Sequence, residues 1–188
     1  MIETERLILR NFKEEDLEDY FEFVSQEDVL TKIGAEPYTD KEKARERLIS
    51  ESQKPLRFAI VIKETGKVIG NISLNEPKPA RYEGIEIDEN TKELGYLLSH
   101  DYWGKGIMPE AGKGLFEYAF KNLGVTKIVC GTKTLNKQSQ RVQEKIGLNL
   151  HSIRENVDTW IDGRPCGYIR TVVTADEWLK SAERDNEK

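Results

Sequence analysis

Residues 93–120 have the sequence ELGYLLSHDYWGKGIMPEAGKGLFEYAF, and this stretch decides the fold of the chain. Its first seven residues are typical of a strand, and from Ile107 onward the apolar residues recur at helical spacing. Between the two segments, Gly104 and Gly106 flank Lys105. We therefore predict a strand, a glycine loop and a helix, in that order.

The glycine loop has the features of an anion-binding site. The first amides of a helix have no partner inside the helix, and the helix dipole favours negative charge beside them. Glycines leave the backbone accessible and permit positive φ, and Lys105 adds a cation. A plain glycine turn with a solvated lysine is the alternative that this short spacing leaves open.

Two well-known phosphate-binding motifs do not fit the loop. A GxGxxG dinucleotide fingerprint would require glycine at the place of Pro109. A P-loop would require glycine at the place of Ser99, and serine or threonine at the place of Gly106. The spacing alone therefore predicts an anion site without naming its ligand.

The remaining patterns predict a mixed α/β sheet. Strands are predicted at 6–10, in a hairpin within 56–74, and at 127–133, 148–157 and 166–174, and helices at 13–26, 38–52 and 136–147. The strand–helix–strand order in the middle implies a parallel pair, and the hairpins imply antiparallel pairs. We predict one domain over residues 1–180 and a charged, frayed tail over 181–188.

Composition excludes several classes of function. The chain has 188 residues, of which 37% are hydrophobic and 34% charged, as in an ordinary globular protein. Its net charge of −5 and the lack of a basic stripe disfavour a nucleic-acid partner. No apolar run approaches the roughly 20 residues of a membrane span, and the first residues lack the apolar core of a secretory signal. We expect no membrane association and a cytoplasmic location.

The two cysteines do not indicate a metal site. Cys130 and Cys166 form no CxxC motif, and no pair of histidines lies near them in the sequence. We therefore expect both to be reduced and structural, and we expect no metal cofactor.

Three ordered stretches carry a family resemblance. They are TERLILRNFKEEDLEDYFEFVSQEDV at 4–29, the 93–120 stretch, and NKQSQRVQEKIGLNL at 136–150. The last matches an NxxSxxxxxKxGF pattern at Asn136, Ser139, Lys145, Gly147 and Leu148. Together they resemble the GNAT superfamily of acyl-CoA-dependent N-acetyltransferases, and within it the RimJ/RimL-type protein N-acetyltransferases.

The resemblance implies a mostly antiparallel, seven-stranded mixed sheet with about four helices and a splayed parallel pair, 93–99 and 127–133. Acetyl-CoA, the co-substrate, would lie between these two strands, with its pyrophosphate on the amides of 104–108. The cofactor-binding residues that the resemblance implies are Leu97, Leu98, Ser99, Trp103, Gly104, Lys105, Gly106, Ile107, Met108, Asn136 and Ser139.

Acetyl transfer to an amine requires a base, because an α-amino group with a pKa near roughly 8 is mostly ammonium at neutral pH. Glu93 is the first candidate for the catalytic base, with Glu83 and Glu86 as rivals. Ser139, at the matching family position, would hydrogen-bond the leaving thiolate. Gln143 stands where many members carry a tyrosine acid, which excludes that acid here.

Met108 places a bulky side chain where the family usually has a small residue at the helix start.

The amine acceptor would be a protein N-terminus, possibly ribosomal, or a small amine such as a polyamine, an amino acid or an antibiotic. A non-catalytic acyl-CoA-binding or sensing protein is the alternative function. Both a monomer and a homodimer fit the sequence, since exposed sheet edges would favour pairing.

Overall fold

The structure, a computed structural model, describes residues 1–186 and groups the chain into two compact units. Unit 1 comprises residues 1–74 and 95–114, and unit 2 comprises residues 75–94 and the chain from Leu115 onward. The prediction of a single domain over residues 1–180 stays a prediction.

The described residues form eight strands and six helices. The strands are β1 (Ile2–Glu3), β2 (Leu7–Arg10), β3 (Arg57–Ile62), β4 (Val68–Asn75), β5 (Thr91–Leu98), β6 (Lys127–Lys133), β7 (Asn149–Thr159) and β8 (Pro165–Thr174). The helices are α1 (Leu17–Val24), α2 (Glu27–Leu30), α3 (Lys41–Ser52), α4 (Ile107–Asn122), α5 (Lys137–Lys145) and α6 (Ala175–Asn186).

The strands follow the order β1-β2-β3-β4-β5-β6-β8-β7. The pairs β1–β2, β2–β3, β3–β4, β6–β8 and β7–β8 are antiparallel, whereas β5 and β6 are parallel. The predicted mixed, mostly antiparallel sheet with a parallel pair is therefore confirmed. The counts of seven strands and four helices are too low, because β1 has two residues, α2 has four, and α6 follows β8 without an intervening turn.

The predicted tail over 181–188 continues helix α6 as far as Asn186. Residues 187 and 188 lie outside the described residues. The end of the described chain is thus helical, where the sequence predicts a frayed segment.

Unit 1 contains an apolar core built on helix α1. The inward face of α1 carries Leu17, Tyr20, Phe23 and Val24, all buried. Tyr20 packs edge-on against Phe12 at 5.4 Å and against Phe23 at 5.2 Å between ring centroids. This core supports the strands that lead into the glycine loop.

Unit 2 closes its core with an aromatic cluster. Trp178 of α6 lies 6.2 Å from Phe116 and 5.8 Å from Phe120 between ring centroids. Its indole Nε1 donates a hydrogen bond to the Ile146 carbonyl at 2.8 Å. Trp178 therefore joins helix α6 to the core of unit 2.

The parallel ladder between β5 and β6 is short. It pairs Thr91 with Lys127, Lys92 with Ile128, and Glu93 with Val129. The last of these pairs places a carboxylate at the point where the ladder ends. A ladder of three pairs between strands of eight and seven residues is the pattern that a splayed pair produces.

Candidate functional site

The glycine loop of unit 1 has the predicted backbone geometry. Gly104 and Gly106 adopt φ angles of 74° and 75°, which other residues rarely tolerate. A Cβ atom on Gly104 would meet no heavy atom within 4 Å, so the loop is open above that residue. Helix α4 begins at Ile107, and the N–H of Glu110 donates to the Gly106 carbonyl at 3.1 Å. The amides at the start of α4 thus have no acceptor inside the helix.

Arg6 is a second cation beside this loop, and the sequence patterns do not predict it. Its Nη1 donates to the Lys105 carbonyl at 3.1 Å, and its Nε pairs with Glu110 Oε2 at 2.7 Å. Glu110 also accepts from the Arg6 backbone N–H at 2.8 Å and from the Thr4 hydroxyl at 2.5 Å. Arg6 stands 99 residues before Lys105, and only the fold brings the two together.

The side chains at the end of the loop are buried in the core, and within residues 104–108 only that of Lys105 is exposed. Ile107 and Met108 are 4% and 3% exposed, so the bulky side chain of Met108 lies in the core and not over the loop. Lys105 is exposed, and its Nζ lies 5.3 Å from the centroid of the Tyr102 ring. The binding capacity of the loop therefore resides mainly in its backbone.

The end of strand β5 already uses part of its backbone. The N–H of Ser99 donates to the Ile69 carbonyl at 2.8 Å, and the carbonyl of Leu98 accepts from Trp103 Nε1 at 2.8 Å. Successive residues of a strand direct their backbone groups to opposite edges, so Leu97 faces the same edge as Ser99, toward β4. Among the predicted cofactor-binding residues at the end of β5, Leu98 faces the other edge, with its N–H directed there.

Trp103 supports the loop from below. Its ring stacks on His100 at 4.6 Å between centroids, and Lys32 Nζ lies 3.7 Å from its centroid. Trp103 also packs against the apolar core of unit 1. These contacts give Trp103 a packing role beneath the loop.

In unit 2, one guanidinium bridges a carboxylate and a phenol. Arg81 Nη1 donates to Glu93 Oε1 at 2.9 Å, and Arg81 Nη2 donates to Tyr168 Oη at 2.6 Å. Burial works against the charged form of Arg81, but Tyr168 and Glu93 outweigh it and raise its pKa. The side chain of Glu93 is 14% exposed, so the carboxylate is shielded but still reachable.

Tyr168 reaches this cluster by crossing over strand β6. A Cβ atom on Gly131 would lie 2.0 Å from Tyr168 Oη and 2.5 Å from its Cζ. Gly131 is not among the residues with positive φ, so the glycine supplies space and not backbone freedom. A larger residue at position 131 would exclude the observed position of the phenol.

Two buried groups back the cluster. Tyr82 is fully buried, and burial raises the pKa of its phenol, with Cys130 and Glu93 adding to the effect. Burial likewise raises the pKa of the Cys130 thiol to about 12. Both groups are therefore neutral at physiological pH, and Cys130 has no thiolate to act as a nucleophile.

Ser139 lies in a short hydrogen-bonded chain at the start of helix α5. The Asn136 side chain caps this helix by accepting from the Ser139 N–H at 3.2 Å. Gln143 Nε2 donates to Ser139 Oγ at 3.1 Å, and Gln143 Oε1 accepts from the Thr171 hydroxyl at 2.8 Å. Gln143 is 1% exposed, so its amide orients the serine from the protein interior.

The rival bases are more exposed than Glu93. Glu83 is 75% exposed and pairs with Arg154 at 3.3 Å, and Glu86 is also exposed. Neither makes a hydrogen bond to Arg81 among the described residues.

Arg81 and Tyr168, like Arg6, are functional candidates that sequence patterns miss. Arg81 lies in a polar loop without periodicity, and Tyr168 matches an ordinary strand residue. Gly131 in the buried strand KIVCGTK is the one available signal, because an interior glycine indicates a close approach by another group.

Comparison with known proteins identifies the family. Residues 6–149 match the family described as "Acetyltransferase (GNAT) domain". The chain belongs to the GNAT acetyltransferase family. An N-acetyltransferase of Bacillus licheniformis, p20, is 31% identical over 155 residues, which cover 80% of this chain and 83% of that protein.

Solved structures share the fold. A GNAT-family acetyltransferase from Bacillus anthracis has a TM-score of 0.80 at 23% identity and covers 94% of this chain and 99% of that one. Spermidine N-acetyltransferase from Vibrio cholerae, solved with CoA and spermine, has a TM-score of 0.73 at 19% identity and covers 93% and 98%.

Family membership makes this GNAT protein an acetyl-CoA-dependent N-acetyltransferase, and its acceptor is an amine. Within the part of the chain that the structure describes, no helix is long and apolar enough to cross a membrane. The same residues contain no cluster of histidine, cysteine and acidic side chains able to hold a metal ion.

Proposed function

We propose that this enzyme transfers the acetyl group to a primary amine by direct attack in a ternary complex, with Glu93 as the base. The observation that carries this proposal is the bridge from Arg81 to Glu93 and Tyr168. It holds a shielded carboxylate at the end of the parallel ladder. A fixed carboxylate can take the ammonium proton directly or through one water molecule. Glu83 and Glu86 are too exposed to be held in this way.

The loop of unit 1 supplies the coenzyme's anion site in this proposal. The amides of residues 104–108 would hold the pyrophosphate, with Lys105 and Arg6 as flanking cations. Gly104 fits this role because its positive φ and open surroundings leave the backbone approachable. The Leu98 N–H is the group at the end of β5 that we assign to pantetheine.

Ser139 would assist the coenzyme's sulfur. Its hydroxyl oxygen accepts a hydrogen bond from Gln143 Nε2 at 3.1 Å, which orients the hydroxyl. Asn136 would contact the pantetheine amide while it caps helix α5. These two assignments rest on the family resemblance together with the observed cap.

Charge around the cluster favours one acceptor class. Tyr168 is paired across the sheet with Lys133 on one side and Arg154 on the other. Three carboxylates near the cluster are occupied in the ion pairs Glu93–Arg81, Glu83–Arg154 and Asp158–Lys133. Arg170, which is 5% exposed, has no carboxylate partner among the side chains that the structure describes.

A polyamine carries several ammonium groups and would need several unpaired carboxylates, and these three are already held in ion pairs. We therefore favour an acceptor with a single α-amino group, either a protein N-terminus or an amino acid, over a polyamine. A monomeric or homodimeric state and a cytoplasmic location stay predictions.

A thiol-release assay tests the proposal. The protein is mixed with acetyl-CoA and a panel of N-terminal peptides, free amino acids, polyamines and aminoglycosides, and coenzyme A binding is measured by calorimetry. We expect thiol release with α-amino acceptors and little with spermidine. Binding without release from any acceptor would support the sensor alternative, and lack of coenzyme A binding would refute the loop assignment.

Two variants separate the roles. Glu93→Gln should lower turnover and leave coenzyme A affinity unchanged. Gly104→Ala should weaken coenzyme A binding, because alanine disfavours the left-handed backbone by about 1–2 kcal/mol. Gly66→Ala is the matched control: Gly66 has a φ of 72° and equally open surroundings, but it lies in the β3–β4 turn. Equal losses of affinity in both alanine variants would contradict the loop assignment.

A further inference from the structure

We propose that Tyr168 is the catalytic acid that protonates the leaving thiolate, and that Arg81 positions it against Glu93. This inference rests on the proposed function and extends it to a residue outside the family's sequence motifs. The position where many family members carry a tyrosine acid holds the buried Gln143. Ser139 is assigned a hydrogen bond to the sulfur, so a tyrosine that transfers its proton to the sulfur must stand elsewhere in this chain.

The hydrogen bond from Arg81 leaves the hydroxyl hydrogen of Tyr168 available for donation. Guanidinium groups only donate, so in the 2.6 Å contact Tyr168 Oη is the acceptor. The phenol's own hydrogen is not used in that bond and can be donated to a substrate atom. The same guanidinium donates to Glu93 at 2.9 Å, which fixes the base and the acid on one rigid planar group.

The position of the phenol matches the place where the two parallel strands separate. The ladder between β5 and β6 ends at the pair Glu93–Val129. The Tyr168 hydroxyl lies over Gly131, two residues farther along β6, and only a glycine there leaves room for it. Tyr168 is partly exposed, so a substrate atom can reach it.

The protonation state of Tyr168 also suits an acid. Burial raises the pKa of its phenol, and the nearby Arg81 reverses only part of that effect. The phenol therefore carries its proton at neutral pH. A thiolate whose thiol has a pKa near roughly 8.5 is a weaker base than this phenolate, so the phenol donates while the carbon–sulfur bond breaks and the phenolate must then regain a proton.

The proton balance of the step closes without any further reagent. Glu93 accepts the first ammonium proton and passes it to solvent, and the free nitrogen attacks the thioester carbonyl. As the carbon–sulfur bond breaks, its electron pair goes to sulfur, and sulfur takes the proton of Tyr168. The second nitrogen proton goes to Glu93 and returns, directly or through water, to the phenolate. The products are the amide and coenzyme A thiol, with one proton released.

Steady-state kinetics of Tyr168→Phe test this assignment, because phenylalanine keeps the ring over Gly131 and removes only the hydroxyl. We expect kcat to fall by roughly 10²-fold, at the lower end of the usual effect of general acid catalysis. The KM for acetyl-CoA and the affinity for coenzyme A should stay unchanged. Arg81→Lys keeps the charge but cannot bridge both groups, so it should lower kcat in the same direction.

Tyr118→Phe on helix α4 is the matched control, since Tyr118 is also a partly exposed tyrosine but lies outside the cluster. Its kcat should equal that of the wild-type protein. A Tyr168→Phe variant with wild-type kcat, or with a raised KM and unchanged kcat, would overturn the role of Tyr168 alone. Absence of thiol release by the wild-type protein with every amine would instead overturn the proposed function, and this inference with it.

Discussion

Gly131→Ala is the substitution whose effect follows most directly from the structure. The new Cβ would lie 2.0 Å from Tyr168 Oη, and ordinary contact begins at 3.4 Å, so the hydroxyl must retreat by about 1.4 Å (3.4 minus 2.0). A retreat of that size stretches the 2.6 Å hydrogen bond from Arg81 beyond hydrogen-bonding distance. Stability and activity should therefore fall together.

The expected loss of stability has two opposing parts. Overpacking of a well-filled site costs about 1–3 kcal/mol. Replacing glycine by alanine inside a strand recovers about 0.5–1 kcal/mol, because the unfolded alanine chain has fewer conformations and so loses less entropy when it folds. We expect a net loss of about 1–2 kcal/mol in the free energy of unfolding, measured by urea denaturation. Misplacing the phenol should also reduce kcat, by up to roughly 10²-fold.

The same substitution in a Tyr168→Ala background is the control. Removing the ring removes the three atoms nearest to the new Cβ, so Gly131→Ala should then be neutral or stabilise the protein by about 0.5–1 kcal/mol. The change in unfolding free energy should therefore reverse its sign between the two backgrounds. An equal destabilisation in both backgrounds would refute the claim that Gly131 exists to make room for Tyr168.

Three further predictions concern other groups. Gln143→Leu removes the amide oxygen that accepts from the Thr171 hydroxyl, and we expect the free energy of unfolding, measured by urea denaturation, to fall by about 1–3 kcal/mol. An unchanged denaturation midpoint would contradict a structural role for this hydrogen bond. Neither Cys130, whose pKa is raised to about 12 by burial, nor the buried Cys166 should react with a thiol reagent at pH 8 until the protein unfolds; rapid labelling of the native protein would argue against their burial. Burial alone would raise the pKa of Glu110, but hydrogen bonds from Thr4 and Arg6 outweigh burial and hold this pKa below 4.5. The ionised Glu110 therefore stabilises the fold above pH 4.5, and this stabilisation is lost as the pH falls through the lowered pKa. The difference in Tm between wild type and Glu110→Gln should thus shrink in acid, and a difference that grows in acid would reverse this reading of the charge.

Local pattern was sufficient for most of the secondary structure near the site. The glycines at 104 and 106, the helix that follows them and the strand before them all occur where spacing predicts them, because each depends on residues close in the chain. The cap of helix α5 by Asn136 is local in the same way. Helix α6 was missed since it has few apolar residues and no turn separates it from β8.

The contacts that select the chemistry are not local. Arg81 stands 12 residues before Glu93 and 87 residues before Tyr168, and no periodicity links them. Ser99 is among the predicted cofactor-binding residues, and its N–H pairs with the Ile69 carbonyl, since alternate residues of β5 face opposite edges. Both the Arg81 bridge and the Ser99–Ile69 hydrogen bond depend on the position of each strand in the sheet.

Motif spacing and backbone preference are properties of neighbouring residues, and they were enough to predict the family, the loop and the set of carboxylates from which a base could come. Three further facts required the folded chain: Glu93 is the shielded carboxylate among these candidates, Arg81 bridges it to Tyr168, and Gly131 leaves room for the phenol. These facts depend on which strands lie side by side and on what each side chain meets there, which long-range packing settles and short-range pattern does not.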